Sequence, residues 1–448
     1  HFYRGSYAGA VLSGMDGDYF LDDGIIRVQV FHIYSPMVDM VLNGTISAQG
    51  LLNFDAEVRD LDMKRFEHKL PYEVSGHGVF NGKVGGTISR PIFRGQLKAD
   101  TITMNGVELR EIRSFAHYEN GIVDLEDTGF RQGTDGSVTA RLHYDTATRA
   151  ISGRMQIERM DVQALLALAN QKEDRLTGQI TSAVRLGGTL DNPSISLTGE
   201  IEEGALASYP ISDVALDVTL ADRVLTVRKL SGTQGDGSFS AAGIMDFDGT
   251  ADVDVTSTDI ALGIFTRFGG VEEAVTGTTS LTLHIGGYTQ QPEADLKITA
   301  KNGGARGASF DELTGEAQLR HAVIHLNNLV VTKYIDGIAY AASAHGTLPL
   351  RALTADRDET LDAYDQLDLT IALDNADLSL IPVFSNQVEW ALGRTEGSLR
   401  LHGTLAAPRL DGSLRVTGGA LKFKLLENPL TDMELRVDAR GDNVIVRE

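Results

Sequence analysis

Four stretches of the chain repeat one pattern, in which a glycine is followed five positions later by a proline and then by an alternating strand. They read "GGTISRPIFRGQLKAD" from Gly85, "GGTLDNPSISLTGE" from Gly187, "GGYTQQPEADLKIT" from Gly286 and "HGTLAAPRLDGSLRVT" from His402. Gly86, Gly188, Gly287 and Gly403 pair in this way with Pro91, Pro193, Pro292 and Pro408. Successive prolines stand 102, 99 and 116 residues apart (193−91, 292−193, 408−292). A second landmark, Asp62, Asp161, Asp259 and Asp377, precedes the prolines by 29, 32, 33 and 31 residues. A period of about 100 residues exceeds that of common solenoid repeats, so each unit is a multi-strand module. The expected organisation is a partial repeat over 1–58, repeats over 59–157, 158–256 and 257–374, and a partial repeat over 375–448, joined in one continuous groove.

Inside each unit the apolar residues alternate with period two, as in strands with one apolar and one wet face. The candidate apolar positions are Ile195 and Leu197, Leu216 and Val218 (with Asp217 on the other face), Leu281 and Leu283, Leu296 and Ile298, Leu399 and Leu401, and Leu414 and Val416. Turn signals separate the strands at Glu119-Asn120-Gly121, Gly133–Gly136, Gly235–Gly237 and Asp336-Gly337, and short loops imply antiparallel neighbours. Proline is confined to strand starts, edges and bulges, and glycine tolerates a bend, so the Gly/Pro device predicts a corner where one strand ends and the next begins.

After each Asp landmark the period changes. Val162, Leu165, Leu166 and Ala169 follow helical spacing, with Asp161 as N-cap. Met63, Phe66 and Leu70 repeat this in the first copy, and Ile260, Ile264 and Phe268 in the third, while Pro382 interrupts the fourth. A short helix covering apolar surface at a sheet edge or end accounts for these segments.

The 448 residues exceed one ordinary core, and 42% are hydrophobic, enough to bury a large apolar surface. Aromatics are only 6%, so the buried surface is mostly aliphatic. A net charge of −22 argues against nucleic acid and against docking on an anionic membrane surface. Without cysteine there is neither a disulfide nor a thiolate metal site. The apolar runs are much shorter than a membrane span. The termini, "HFYRGSYAGAV" and "GDNVIVRE", lead us to expect a segment of a longer chain.

Motifs for metal, nucleophile or phosphate chemistry are missing from the sequence: it has no HExxH, GxSxG or GxxxxGK[ST]. The run "MDGDYFLDDG", with Asp16, Asp18, Asp22 and Asp23, is interrupted by Tyr19 and Phe20 where a calcium loop needs ligands, and reads as a solvated turn. His68 and His77 lack a third ligand nearby and read as surface or strand histidines, and "NGGARG" at Asn302 does not lead from a strand into an apolar helix. His345 and His402 each precede Gly-Thr, which fits a repeated structural element. These readings predict no catalytic residue, no cofactor and no metal.

The register of "HGTLAAPRLDGSLRVTGG" from His402, together with "LTGEAQLRHAVIHLNNLVVTKYIDGIAYAASAHGTLPL" from Leu313, resembles the TamB branch of the AsmA-like proteins, among the bridge-like lipid transfer proteins. The resemblance covers nearly the whole chain. It implies an all-β fold with short helices: an elongated, mostly antiparallel curled sheet forming a β-taco groove. It further implies a periplasmic segment of an inner-membrane-anchored protein of a diderm bacterium, with the anchor outside this chain and an outer-membrane partner of the Omp85 type. The expected function is a non-enzymatic conduit for phospholipid acyl chains towards the outer membrane, linked to outer-membrane protein assembly. The competing expectation is a structural or adhesive rod of tandem β-sandwich domains.

Overall fold

The structure is a computed structural model describing residues 2–7, 10–35, 38–65, 72–171, 175–268, 275–305, 308–354, 365–378, 388–441 and 443–447. Its fold is all-β, with antiparallel strands and three short helices among the described residues. The chain divides into two units, one of His1–Ser208 with Ser212–Arg223, the other of Tyr209–Ile211 with Val224–Glu448.

The first unit begins with β1 (Phe2–Tyr7), β2 (Ala10–Asp22), β3 (Ile25–Tyr34), β4 (Asp39–Ile46) and β5 (Leu52–Asp62). Six strands follow: β6 (Val74–Thr87), β7 (Arg90–Met104), β8 (Val107–Glu119), β9 (Ile122–Gln132), β10 (Gly136–Asp145) and β11 (Ile151–Asp161), then helix α1 (Val162–Leu168). The next repeat has the same plan, with β12 (Leu176–Gly188), β13 (Pro193–Leu206), β14 (Tyr209–Ala221), β15 (Val224–Gln234), β16 (Gly237–Asp246), β17 (Ala251–Ala261) and helix α2 (Leu262–Phe268). The third runs through β18 (Thr276–Tyr288), β19 (Gln291–Ala305), β20 (Ala308–Arg320), β21 (Val323–Ile335), β22 (Ile338–Pro349), helix α3 (Arg351–Thr354) and β23 (Gln366–Asp377). Last come β24 (Val388–Thr404), β25 (Ala407–Phe423), β26 (Leu430–Arg440) and β27 (Asn443–Arg447). The repeat is therefore six strands and a short helix. Much of the added length of the third copy lies between β22 and β23, residues 350–365, where the preceding copy uses only residues 247–250.

Strands pair with their sequence neighbours from β1 to β13 in the first unit and from β15 to β27 in the second. Each unit is thus an antiparallel meander. Its strands pack chiefly against their ladder partners, and α1 lies against β8, β11 and β12. That is not the pattern of two facing sheets closing over a private core of about 100 residues.

The Gly/Pro device is a hairpin. Gly86, Gly188, Gly287 and Gly403 sit directly opposite Pro91, Pro193, Pro292 and Pro408 in the strand register. Each glycine has positive φ, between 77° and 106°, which an L side chain resists. Each proline is the first or second residue of its strand, where its missing N–H does not interrupt the ladder interior. In three copies the residue after the glycine is a threonine whose hydroxyl accepts from the N–H three residues on: Arg90 to Thr87, Asn192 to Thr189 and Ala407 to Thr404, each at 3.1 Å.

The irregularities within the strands are bulges, and they repeat too. The register shifts between Val58 and Leu61, Ile157 and Met160, Ser257 and Ile260, and Leu373 and Ala376. A second set shifts beside Gly76, Gly178, Gly277 and Gly393, which have φ of 127°, 133°, 106° and 134°. These glycines are spaced 102, 99 and 116 residues apart (178−76, 277−178, 393−277), as the prolines are. Bulges bend and twist a strand locally. The extra residue also flips the alternation, so the apolar face continues at Met160 (0% exposed) after Ile157 (1%), and at Ile260 after Ser257.

α1 forms where the helical spacing predicts it, and Asp161 caps it by accepting from the Ala164 N–H at 2.9 Å. The helix buries Val162 and Ala164 next to a tightly buried cross-strand set, Met160, Ile180 and Ile201. α2 contains Ile264 and Phe268, but Ile260 is the buried penultimate residue of β17 and not part of the helix. Asp259 is not a cap. It holds a left-handed bulge position (φ 50°) equivalent to Arg159 (43°) and Asn375 (52°), and Ala261 stands where Asp161 does. Both Asp161 and Ala261 donate their N–H to a glutamine side chain, Gln132 and Gln234. In the first copy Met63 opens a single 3-10 turn and Lys64 N–H donates to Asp62, while Phe66, His68 and Leu70 lie outside the described residues, as does Pro382. The expected solvated turn at Asp16–Asp23 is corrected as well. Asp16, Asp18 and Asp22 belong to β2, and only Asp23-Gly24 form the turn, because Tyr19, Phe20 and Leu21 favour extended pairing. Asn302–Ala305 is the end of β19.

Candidate functional site

The cross-strand register assembles the alternating residues into rows. In the second unit, Leu283, Leu296, Ala317, Leu326, Gly346, Leu369, Leu401 and Leu410 are successive partners across β18 to β25. A parallel row runs Leu281, Ile298, Gly315, Leu329, Ala344, Ile371, Leu399 and Gly412. Leu414 faces Gly397 and Val437 on the same side, and Val416 faces Thr395 and Leu435. In the first unit, Phe54, Val84, Phe93, Tyr118, Val123, Tyr144 and Ile151 form one row, and Ala140, Met155, Val184 and Leu197 another. Ile195 is opposite Leu186.

Ten of the twelve sequence-derived positions thus join apolar rows, eight of them in the second unit. Leu281 and Val416 are buried, and the rest are half-buried. Leu216 and Val218 lie on β14, where Asp217 between them is half-buried as well. Buried hydroxyls interrupt the rows at Ser182, Ser257 and Thr395, whose oxygens have no hydrogen-bond partner among the described residues.

Sequence reasoning missed the aromatic-rich start of the first unit. There β3 to β7, with Tyr19 of β2, line an open apolar cavity of about 710 Å³ that includes Val28, Phe31, Met40, Phe54, Val84 and Phe93. Its volume falls in the ~300–1,000 Å³ range of small-molecule sites. Alternation in "IIRVQVFHIY" and "LNFDAEV" carries the signal, but this partial repeat lacks the Gly/Pro landmark that drew attention elsewhere.

The opposite face is wet and charged, and several of its charges are matched across strands. Lys83 pairs with Asp55 at 2.8 Å, Arg320 holds both oxygens of Asp295 at 2.8 Å, and Arg400 grips Asp368 at 2.8 and 2.7 Å. These guanidinium bonds hold the Asp295 and Asp368 carboxyls below their ordinary range. Histidine-carboxylate pairs recur: His77 with Asp60 (2.6 Å), His143 with Asp124 (2.7 Å), His284 with Asp254 (2.9 Å) and His402 with Asp411 (2.7 Å). The hydrogen bond to Asp60 raises the His77 pKa, and that to Asp254 raises His284. Asp252, Asp254 and His284 each bring one ligand atom to within 4.8 Å of the others, the described group best placed to hold a cation. They are solvent-facing, and His284 already hydrogen-bonds Asp254. His345 lies on β22 opposite Thr370.

No protein-family model, curated protein or solved structure matches this chain.

Proposed function

We propose that this chain is a non-enzymatic hydrophobic conduit that carries phospholipids by their acyl chains along the apolar sheet face. The single observation supporting this most strongly is the pair of apolar rows that run in register from β18 to β25, with no second sheet packed on them among the described residues. A row of interchangeable aliphatic residues offers a long chain many equivalent positions, so sliding costs little at each step. Burial is worth about 0.8 kcal/mol per CH₂, on the order of 12 kcal/mol for a ~16-carbon chain. The apolar cavity at β3 to β7 provides an aromatic-lined resting place for such a chain. The charges of the opposite face keep that side hydrated.

The resemblance to the TamB branch adds the setting: transport through the periplasm of a diderm bacterium towards the outer membrane, with an Omp85-type partner and a linked role in outer-membrane protein assembly. A rod of tandem sandwiches fits poorly with meanders whose strands pair only with their sequence neighbours. Lipid extraction and mass spectrometry of the purified protein test the reading. Co-purifying phospholipid that a detergent wash removes and vesicles restore is expected. A preparation that neither carries phospholipid nor takes it up from vesicles contradicts it.

A further inference from the structure

On the wet face of β10, β11 and β12, three arginines stand in line. Arg141 is the direct partner of Arg154, and Arg154 of Arg185. Adjacent strands are about 4.8 Å apart, and like charges directly opposite destabilise a sheet. On the wet face of the second unit, arginines such as Arg320 and Arg400 meet carboxylates. Arg141, Arg154 and Arg185 make no hydrogen bond or ion pair with any described residue. A fourth, Arg113, is also unpaired. It stands opposite Gly129 on β9, and its Nε would be 3.6 Å from a Cβ there. The missing side chain of Gly129 lets Arg113 lie across β9 towards Thr139, the neighbour of Arg141 on the same face. Lys98, the partner of Arg113 on β7, adds a further cation. All four arginines line one open cavity of about 700 Å³, together with Thr139 and Gln156.

The acids nearby do not neutralise this cluster. Asp127 lines the same cavity, and Glu126 and Asp124 line the adjoining one, but none ion-pairs with these arginines and Asp124 is held by His143. Four arginines and Lys98 against Asp124, Glu126 and Asp127 leave a local excess of two positive charges (5−3) in a chain of net charge −22.

We propose that Arg113, Arg141, Arg154 and Arg185 form a binding site for a small multivalent oxyanion of the phosphate type. Guanidinium groups in a row offer paired N–H donors that match phosphate oxygens, and an anion between them turns mutual repulsion into attraction. The size of the ligand follows from the charge balance. A long polyanion would extend past the patch into the acidic remainder of the chain, while a small one stays within roughly a Debye length (about 8 Å) of the arginines. The site is on the face opposite the apolar rows, so it does not depend on the lipid reading.

Isothermal titration at constant ionic strength with inorganic phosphate and pyrophosphate tests this on the whole chain. Saturable binding is expected, tighter for pyrophosphate, with a melting temperature that rises with its concentration. Arg154→Gln abolishes saturation, Arg154→Lys weakens it at least tenfold by removing the bidentate fork, and Arg409→Gln in the second unit leaves it unchanged. Dihexanoyl phosphatidic acid separates the sources: competition with pyrophosphate identifies a phosphomonoester headgroup as an accepted form, and failure to compete restricts the site to free phosphates. No saturation by about 10 mM pyrophosphate, or equal binding by Arg154→Gln and the unmodified chain, overturns the proposal.

Discussion

At the residue scale the repeat is held by glycines, but not all for the same reason. Gly178 combines φ of 133° with a would-be Cβ only 2.8 Å from the Glu203 carbonyl oxygen, whereas Gly133 (φ 65°) has nothing within 4 Å. Gly178→Ala is therefore expected to cost about 3 kcal/mol or more, from both strain and collision, and Gly133→Ala about 1 kcal/mol, from strain alone. Urea unfolding of the two variants measures the difference. The histidine pairs give a pH signature. Because Asp60 and Asp254 raise the pKa values of His77 and His284, these pairs contribute fully below the ordinary histidine value and lose their contribution as pH rises through the raised values. A His77→Gln/His284→Gln variant should accordingly show a flatter decline of its unfolding midpoint than the unmodified chain as pH rises above the ordinary histidine value. Asp62 beside the first pair, and Asp252 and Asp295 beside the second, act in the same direction. At this scale the sequence displays the hairpin glycines through their prolines. The bulge glycines have the same spacing but no proline beside them, and nothing in "LTGQ" or "TGTT" distinguishes a bulge from an ordinary small residue on a strand.

Alternation and helical spacing were legible element by element because both faces of each strand have a purpose, one apolar and one wet. The strands through Ile195, Leu281, Leu296, Leu399 and Leu414 all form where period two places them. What alternation alone could not reveal is the change of parity at each bulge, where Ile157 and Met160 face the same way although three residues apart. Turns such as Ala207-Ser208 and His321-Ala322 were also silent, since both residues take left-handed φ without the glycine or asparagine that usually signals it. Among the helices, the Asp161 cap was readable because a carboxylate accepting from the first-turn N–H groups has a sequence signature, while Asp259 shares the residue type and not the role. Asp161→Ala should lose about 1 kcal/mol, and Asp259→Gly should stay within about 0.5 kcal/mol of the parent because glycine tolerates the left-handed position. Thermal melts of both variants distinguish a cap from a bulge residue.

For the molecule as a whole, the fold class and a multi-strand repeat were accessible from the sequence because the same landmarks recur in register, whereas the number of strands per repeat, six, was not. The cavity at β3 to β7 was not, since a cavity depends on how neighbouring strands curve around it rather than on any one strand's pattern. In a lipid conduit the two faces of the sheet are functionally opposite. Leu283→Arg places a cation on the apolar rows, where its long stem can reach solvent, so stability should fall by only about 1–2 kcal/mol while lipid uptake drops sharply. Thr282→Arg, one residue away on the wet face, should preserve uptake. The most direct test is a photo-crosslinking scan, with a benzophenone side chain placed in turn at Leu281, Thr282, Leu283 and His284 and the protein incubated with phospholipid vesicles. Strong lipid adducts at 281 and 283 and weak ones at 282 and 284 are predicted, whereas adducts without alternation, or concentrated at 282 and 284, would contradict transport along the apolar face.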